Sequence, residues 1–307
     1  MLQKPMDVLE QFPVRKKRQQ KQAFRASVQQ YAESLGYECK EEKGSFGSVN
    51  VVLGDSAKAK FLVTAHYDTC ARFPVPNLIT PCSFWGYLGY QILVALIILL
   101  PIFLSSLVVG LLTGSGLAAR LVGFVMLYVA IILMLGGSSN KNNANDNTSG
   151  VVTVLEMARN MPQELREQVC FVLFDLEEAG LWGSSSYRSK HKKESNDQIV
   201  LNVDCVGDGD LIMLFPKRKI RKNLELMEKL KQSCGSYGNK QVTIHEEGFS
   251  TYPSDQSNFP YGVGICALRQ GKFGPYLSRI HTPKDTILEE ANVQLLSKTL
   301  TEIIRNY

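Results

Sequence analysis

The sequence predicts an α/β protein with a mostly parallel central sheet, covered by helices on both faces and interrupted by an inserted two-helix transmembrane hairpin. Apolar strand-like runs alternate with amphipathic helical patterns along most of the 307 residues, an order typical of parallel sheets. One block near the middle is apolar throughout. The length suits one large domain with a small appendage, and the sequence has no internal repeat.

A helix and three strands are predicted before the apolar block. Between Arg15 and Leu35, apolar residues recur at helical spacing, and Gly36 follows as a stop signal. The β-like runs YECK, SVNVVL and KFLVTA come next. KFLVTA is almost wholly apolar, as expected of a strand buried on both faces. His66 stands at the C-terminal end of this strand.

Two membrane spans are predicted within the apolar block. Residues 73–119 carry no charge, and a second uncharged run separates Arg120 from Lys141. Within these runs, residues 86–112 and 117–135 are each about the 20 residues that a helix needs to cross a bilayer. Soluble cores rarely contain two adjacent uncharged segments of this length, so a hairpin in the lipid bilayer is favoured over a buried helical pair.

The charges around the hairpin predict its orientation. A hairpin returns to the side that it leaves, so the segments before and after it share one compartment. The flanks carry Arg72, Lys141 and a basic N-terminal run, whereas the turn carries only Arg120. The positive-inside rule therefore predicts a multi-pass protein of the cell membrane with two helices and a cytoplasmic body. Seven scattered cysteines and the lack of a secretory signal agree with a reducing cytoplasm.

The basic run RKKRQQK at residues 15–21 supplies much of the net charge of +5. Nucleic-acid binding would require basic residues interleaved with aromatic ones on a sheet or a recognition helix, and the sequence has neither pattern. No nucleic-acid partner is therefore expected. The run is interpreted as a solvated helix start or as a segment that faces anionic lipid.

After the hairpin, helices and strands alternate again. The first four predicted elements are a helix near residues 148–160, the strand QVCFVLFD, a helix near residues 181–191 and the strand IVLNVD. The strand LIMLF and a charged helix at about residues 220–232 follow. The strands QVTIH and VGICAL and a closing helix at residues 289–304 complete the chain.

Metal-capable side chains follow the predicted strands. His66 and Asp68 come after KFLVTA, Glu177 and Glu178 after QVCFVLFD, and Asp204 closes IVLNVD. Open α/β sheets build their sites at these strand ends. Each motif alone has an ordinary explanation, since paired glutamates also favour a helix start and a lone histidine is usually a satisfied polar residue.

Two further candidates come from loops. Asp146 lies in NNANDNTSG, where it could also cap the following helix, and His281 lies in RIHTPKDT. Together with His66, Glu178 and Asp204 they make five carboxylate or imidazole ligands. Such a set suits two zinc ions that share one carboxylate and keep open positions for water and substrate.

The motifs AHYDT, NDNTSGVVTVLEMAR, FDLEEAGLWGSSSY, NVDCVGDGD and HTPKDT occur in this order. Together they closely resemble the co-catalytic di-zinc exopeptidases of peptidase clan MH, in particular the bacterial leucyl-aminopeptidase type. The resemblance implies a three-layer α/β/α sandwich with a mixed central sheet. It also implies one discontinuous zinc peptidase domain, residues 1–85 and 137–307, with residues 86–136 as the inserted hairpin.

The resemblance also implies a role for each site residue. His66 and Asp204 would bind one Zn²⁺, Glu178 and His281 would bind the second, and Asp146 would bridge the two. Co²⁺ or Mn²⁺ could substitute for zinc. Glu177 would be the general base, and Asp68 would accept the remaining N–H of the His66 ring. The reaction implied is hydrolysis of N-terminal residues from a peptide substrate by zinc-activated water.

Departures from the family pattern keep several alternatives open. Gln256 stands where relatives have a histidine in the substrate loop, and Ile280 stands where some relatives have an oxyanion-stabilising tyrosine. Tyr252 or Tyr276 could replace that tyrosine.

The alternative functions are a carboxypeptidase, a glutaminyl-cyclase-like enzyme and a catalytically silent membrane scaffold. A carboxypeptidase could use Arg269 and Arg279 to bind a terminal carboxylate. The oligomeric state stays open. Because the connectors between ligands and hairpin are short, the metal centre is expected within roughly 35 Å of the bilayer surface.

Overall fold

The computed structural model describes residues 2–72, 77–272 and 274–307, except for the side chain of Leu135. The first residues of the predicted uncharged run, 73–76, therefore lie outside the described residues. The strands within the described ranges are β1 (Cys39–Lys43), β2 (Val49–Leu53), β3 (Phe61–His66), β4 (Leu78–Ile79), β5 (Val169–Phe174), β6 (Ile199–Val203), β7 (Leu211–Pro216), β8 (Ser236–Tyr237), β9 (Lys240–Ile244), β10 (Tyr261–Gly271) and β11 (Gly274–Ser278).

The α-helices of the same ranges alternate with these strands. They are α1 (Asp7–Gln11), α2 (Arg18–Ser34), α3 (Phe84–Thr113), α4 (Gly116–Gly136), α5 (Gly150–Asn160), α6 (Trp182–Lys190), α7 (Arg218–Arg221), α8 (Leu224–Ser233) and α9 (Glu290–Arg305). The charged helix predicted near residues 220–232 is thus two helices. The reason is Asn223, whose side chain accepts a hydrogen bond from the backbone N–H of Leu226 and starts α8 anew.

The sheet is mixed, with parallel strands at its centre. Its order is β1-β2-β5-β3-β6-β10-β7-β9-β8. β3 pairs in parallel with both β5 and β6, and β6 pairs in parallel with β10. Antiparallel pairs occur on both sides of this centre, and β11 and β4 extend the sheet from β10. The predicted α/β class and mixed central sheet are confirmed.

Side chains of the central strands alternate between two hydrophobic cores. In β3, Phe61, Val63 and Ala65 pack in the larger core with residues of α2, α5 and α9. Leu62 faces the opposite layer and packs with Tyr187 of α6. This alternation follows from the two-residue period of a strand and produces three layers. A strand buried on both faces is mostly apolar, as β3 is apart from Thr64 and His66.

The two hairpin helices are long, apolar and exposed. α3 spans 30 residues, and its most apolar 18-residue window has a mean hydropathy of 3.0; the corresponding window of α4 has a mean hydropathy of 2.4. Neither helix buries any of its most apolar window in the protein, so neither is a core helix of a soluble domain. The described chain therefore contains two helices that are long and apolar enough to cross a membrane.

Short contacts join the base of the hairpin to the body. The segments that enter and leave it pair with each other through Ala71 and Ser139, and the backbone N–H of Arg72 donates to the carbonyl of Ser138. Phe84, at the start of α3, packs edge-on against Phe249 of the body with ring centres 5.3 Å apart. The hairpin is thus continuous with the strand end that carries His66.

Candidate metal centre

Three parallel strands bring their following residues to one edge of the sheet. His66 ends β3, Glu177 and Glu178 follow β5, and Asp204 follows β6. Because β5, β3 and β6 are neighbours in this order, these side chains converge at their carboxyl ends. His66 and Asp204 are buried, with 1% and 6% of their surfaces exposed.

Asp146 lies between the two histidines. Its Oδ1 is 3.3 Å from His66 Nε2, and its Oδ2 is 2.9 Å from His281 Nε2. Asp204 Oδ1 lies 3.5 Å from the same His66 nitrogen, and Glu178 Oε2 lies 3.4 Å from the same His281 nitrogen. The five residues expected to bind metal are therefore brought together, with one oxygen of Asp146 directed to each half.

Two observations indicate that this cluster fits divalent metal ions. Glu178 Oε1 and Asp204 Oδ1 are buried without any hydrogen-bond partner among the described residues, which is costly for carboxylates unless a cation lies beside them. The ligand atoms of His66, Asp146 and Asp204 also lie within 4.8 Å of one another. Imidazole nitrogens and carboxylate oxygens are ligands that zinc accepts.

The electrostatics of the cluster point the same way. Burial, together with the neighbouring Asp146, raises the pKa of Glu178 to about 8, although His281 opposes the change. Burial acts to lower the pKa of His281, but Glu178 and Asp146 raise it to about 9. The carboxylates thus outnumber the positive charges that the side chains supply, and a bound dication would relieve their repulsion.

Asp68 differs in detail from the expectation. Its carboxylate accepts hydrogen bonds from the backbone N–H groups of Glu177 and Glu178, at 3.1 and 3.3 Å. The His66 ring nitrogen Nδ1 is 3.2 Å from the backbone carbonyl of Asp68 and 3.6 Å from its carboxylate. Asp68 therefore contacts two strand ends at once, and its carbonyl is the nearer acceptor for the ring.

Three acidic or sulfur groups at the site were not singled out from the sequence. Asp285 accepts from the backbone N–H groups of Asn145 and Asp146, at 2.7 and 3.0 Å. Its place in HTPKDT was the available signal. Asp255 is fully buried, and burial raises its pKa to about 7. The sulfur of Cys70 lies close to the ligand atoms of Glu178 and His281, which no cysteine spacing indicated.

The backbone around the ligands is unusual. Leu176, Cys205 and His281 have φ values of 55°, 57° and 61°, in a region that costs a non-glycine residue of the order of 1 kcal/mol. Each of these residues is a proposed ligand or is within two positions of one. Such strain is concentrated at functional sites, where surrounding packing over-determines the conformation.

The basic N-terminal run is buried in part, so its interpretation as a solvated or lipid-facing segment was wrong for two residues. Arg15 is fully buried. Its Nε donates to the carbonyl of Tyr67 at 2.5 Å, and both terminal nitrogens lie 3.1 Å from Thr148 Oγ1. Lys21 is also buried and forms an ion pair with Asp175 at 2.5 Å. These partners are distant in sequence and could not be inferred from the run.

The residues considered for substrate contacts fall in different places. Tyr252 lines a cavity of about 180 Å³ over the cluster, and its hydroxyl donates to the carbonyl of Asp204 at 3.0 Å. Tyr276 lines a different cavity. Gln256 is buried, and its amide nitrogen donates to the carbonyl of Tyr252 at 2.6 Å. Gln256 thus supports the loop.

The arginines considered for a carboxypeptidase are already paired. Arg269 Nη2 lies 2.5 Å from Asp208 Oδ1, and Arg279 Nη1 lies 3.6 Å from Asp208 Oδ2. Neither arginine lines the cavity over the cluster.

The fold and the ligand set define a class of metal-dependent hydrolases that hold metal at the carboxyl ends of central parallel strands. Within it, the chain belongs to peptidase family M28, whose sequence pattern matches residues 133–304. The chain is therefore a zinc-dependent metallopeptidase, and the resemblance to clan MH exopeptidases is confirmed.

Solved structures share the fold over nearly the whole chain. A leucine aminopeptidase precursor from Bacteroides thetaiotaomicron is 14% identical, with 99% of this chain and 94% of that chain covered and a TM-score of 0.59. A glutaminyl cyclase from the same organism is 14% identical, with 99% of this chain and 95% of that chain covered and a TM-score of 0.59. A Zn-dependent exopeptidase from Parabacteroides distasonis is 15% identical, with 98% of this chain and 94% of that chain covered and a TM-score of 0.58. At these identities the likeness shows the fold alone. No curated protein matches the chain.

Proposed function

We propose that the chain is a membrane-anchored aminopeptidase with two zinc ions. His66 and Asp204 would hold one ion, Glu178 and His281 would hold the other, and Asp146 would share its two oxygens between them. The division of the Asp146 carboxylate between the two histidines supports this assignment. Bound zinc supplies an activated water and polarises the scissile carbonyl.

The protein side chains would manage the protons and the peptide. Glu177 would take the proton of the attacking water on its carboxylate and pass it to the departing amine. Asp68 would keep Glu177 and Glu178 in place through their backbone N–H groups. Adjacent glutamates can serve separate roles because successive side chains diverge where a strand ends.

The lining of the small cavity favours an aminopeptidase over a carboxypeptidase. Its lining contains Asp146, Glu177, Glu178 and Asp204, and no lysine or arginine among the described residues. Three of these carboxylates are assigned to zinc, which leaves Glu177 as the negative side chain that can attract the α-ammonium group of a peptide, whereas a carboxypeptidase requires a cation for the terminal carboxylate. The pairing of Arg269 and Arg279 with Asp208 argues against the latter.

The hairpin and the basic flanks support the cellular location. α3 and α4 would anchor the chain in the cell membrane as a two-helix multi-pass protein, with the catalytic domain in the cytoplasm. Residues 86–136 would form the anchor, and residues 1–85 and 137–307 would form one discontinuous domain. The metal centre would then lie within roughly 35 Å of the bilayer surface.

Glu177→Gln tests the central assignment. The variant should lose about 10²- to 10⁴-fold or more in turnover of a leucyl anilide reporter, because it cannot accept the water's proton. Its zinc content should stay near two ions per chain, since the base does not bind metal. Asp146→Ala is the matched contrast and should lose zinc as well as activity.

The same assay separates the alternatives. Near-native activity of Glu177→Gln would contradict the assignment of the base. Full zinc occupancy without hydrolysis of any aminoacyl reporter would favour a silent scaffold. Ring closure of N-terminal glutaminyl peptides, in place of hydrolysis, would indicate a cyclase.

A further inference from the structure

A second, larger cavity adjoins the metal cluster. Its volume is about 880 Å³, and it shares Asn77, Glu178 and His281 with the lining of the small cavity. The two cavities are therefore neighbours that meet at the proposed zinc ligands. The small cavity, about 180 Å³ in volume, has room for one terminal residue, so the rest of a bound peptide must lie elsewhere.

The hairpin forms one wall of the large cavity. Tyr90, Gln91 and Val94 of α3 and Met134 of α4 line it. Gln91 is an amide in a helix whose described span is otherwise strongly apolar. Polar side chains in membrane helices usually face a bundle interior or an aqueous cavity and mark functional paths. Its position on this wall matches that expectation.

The N-terminal segment supplies the basic residues that line the cavity. Lys16, Lys17 and Lys21 all line it. Lys21 is neutralised by Asp175 at 2.5 Å, whereas Lys17 is exposed and has no ion pair within the described ranges. The cavity thus combines an apolar wall with an ammonium group that is available to an anion. Its volume lies in the range of ~300–1,000 Å³ that is usual for small-ligand sites, which suits a short peptide.

We infer that this cavity binds the residues that follow the scissile bond of short peptides. An apolar side chain after the scissile bond packs against Val94 of the membrane helix, and the free C-terminal carboxylate of the peptide pairs with Lys17. The inference rests on the proposed aminopeptidase function, because it takes the small cavity as the site of the first residue. The membrane hairpin is then part of the substrate site as well as an anchor.

The test uses the full-length protein in lipid nanodiscs and two pairs of neighbouring variants. Val94→Asn changes the cavity wall, and Leu93→Asn makes the same kind of change at an exposed position that does not line the cavity. Lys17→Gln removes the exposed ammonium group of Lys17 from the cavity, and Arg18→Gln removes the adjacent exposed charge. The substrates are the tripeptide Leu-Leu-Val as free acid, the same tripeptide as its C-terminal amide, and a leucyl anilide.

Each pair has a selective expected result. Val94→Asn should lower the ratio of kcat/KM for the free tripeptide to that for the anilide by about 5-fold, the effect of losing one or two buried methyl contacts. Lys17→Gln should reduce the preference for free acid over amide by about 3- to 5-fold, as for an exposed ion pair. Leu93→Asn and Arg18→Gln should leave both ratios at the wild-type values.

Equal effects of the two members of either pair overturn the inference. Gln91→Leu is a second variant on the α3 wall of the cavity. It keeps the test valid if Val94→Asn folds poorly. It should change the same tripeptide-to-anilide ratio, and an unchanged ratio overturns the inference too. Failure of the wild-type protein to hydrolyse the anilide would instead overturn the proposed function, so the two failures are distinguishable.

Discussion

Some features of the site residues can be recognised in the sequence, whereas others, such as the contacts of Asp68, are visible only in the fold. The sequence indicated the five metal-capable side chains because strand ends and ordered motifs are local features. It did not indicate that the Asp68 carboxylate faces the backbone of Glu177 and Glu178, since this contact joins residues more than 100 positions apart. Asp255 was missed because only the fold shows that its carboxyl group is fully buried.

Asp68→Asn is predicted to weaken the site without unfolding the protein. The two backbone N–H groups face different oxygens of the Asp68 carboxylate, so an asparagine would present its NH2 group in place of one of the two acceptors. Zinc affinity or turnover should fall by about 10- to 100-fold, the usual effect of losing a supporting partner of a metal ligand. Zinc titration and leucyl anilide kinetics measure both. Asp55→Asn makes the same chemical change on the exposed surface and should behave as wild type.

At the scale of elements, the sheet was predictable and the N-terminal segment was not. Strands such as β3 can be recognised in the sequence because burial on both faces selects a nearly continuous run of apolar residues. A run of basic residues has no such signature, because solvated and buried arginines follow the same local pattern. Arg15 is buried only because the carbonyl of Tyr67 and the hydroxyl of Thr148 meet it in the folded chain.

Arg15→Leu is predicted to destabilise the two segments that directly follow His66 and Asp146. The substitution leaves the carbonyl of Tyr67 and the hydroxyl of Thr148 buried without their donor, at a cost of about 2–4 kcal/mol. The midpoint of thermal unfolding in detergent should fall by at least about 5 °C. Arg18→Leu removes the same charge from an exposed position, so its midpoint should stay within about 1 °C of wild type. Equal midpoints for the two variants would refute a structural role for Arg15.

At the scale of the whole molecule, the main feature is the insertion of the hairpin into the peptidase fold. The hairpin leaves the body just after the strand of His66 and returns just before Asp146, and its two connecting segments pair through Ala71 and Ser139. Sequence predicted both helices because hydropathy over 20 residues is a local property. Sequence could not predict that the first turns of α3 line a cavity at the metal cluster, since that depends on how the helix leaves the body.

The final prediction concerns the orientation of the molecule in the membrane. Gly116, the first residue of α4 next to the turn of the hairpin, and Gly235, on the exposed surface of the body, both have open space where a Cβ would lie. Single cysteines at these positions are therefore compatible with the fold. The positive-inside rule predicts a body in the cytoplasm. A membrane-impermeant maleimide added to intact cells should label Gly116→Cys, but label Gly235→Cys only after permeabilisation. The unsubstituted chain reports background from its own cysteines, which include four buried ones. The reverse pattern would place the catalytic domain outside the cytoplasm, and labelling of both variants only after lysis would show that the hairpin does not cross the bilayer.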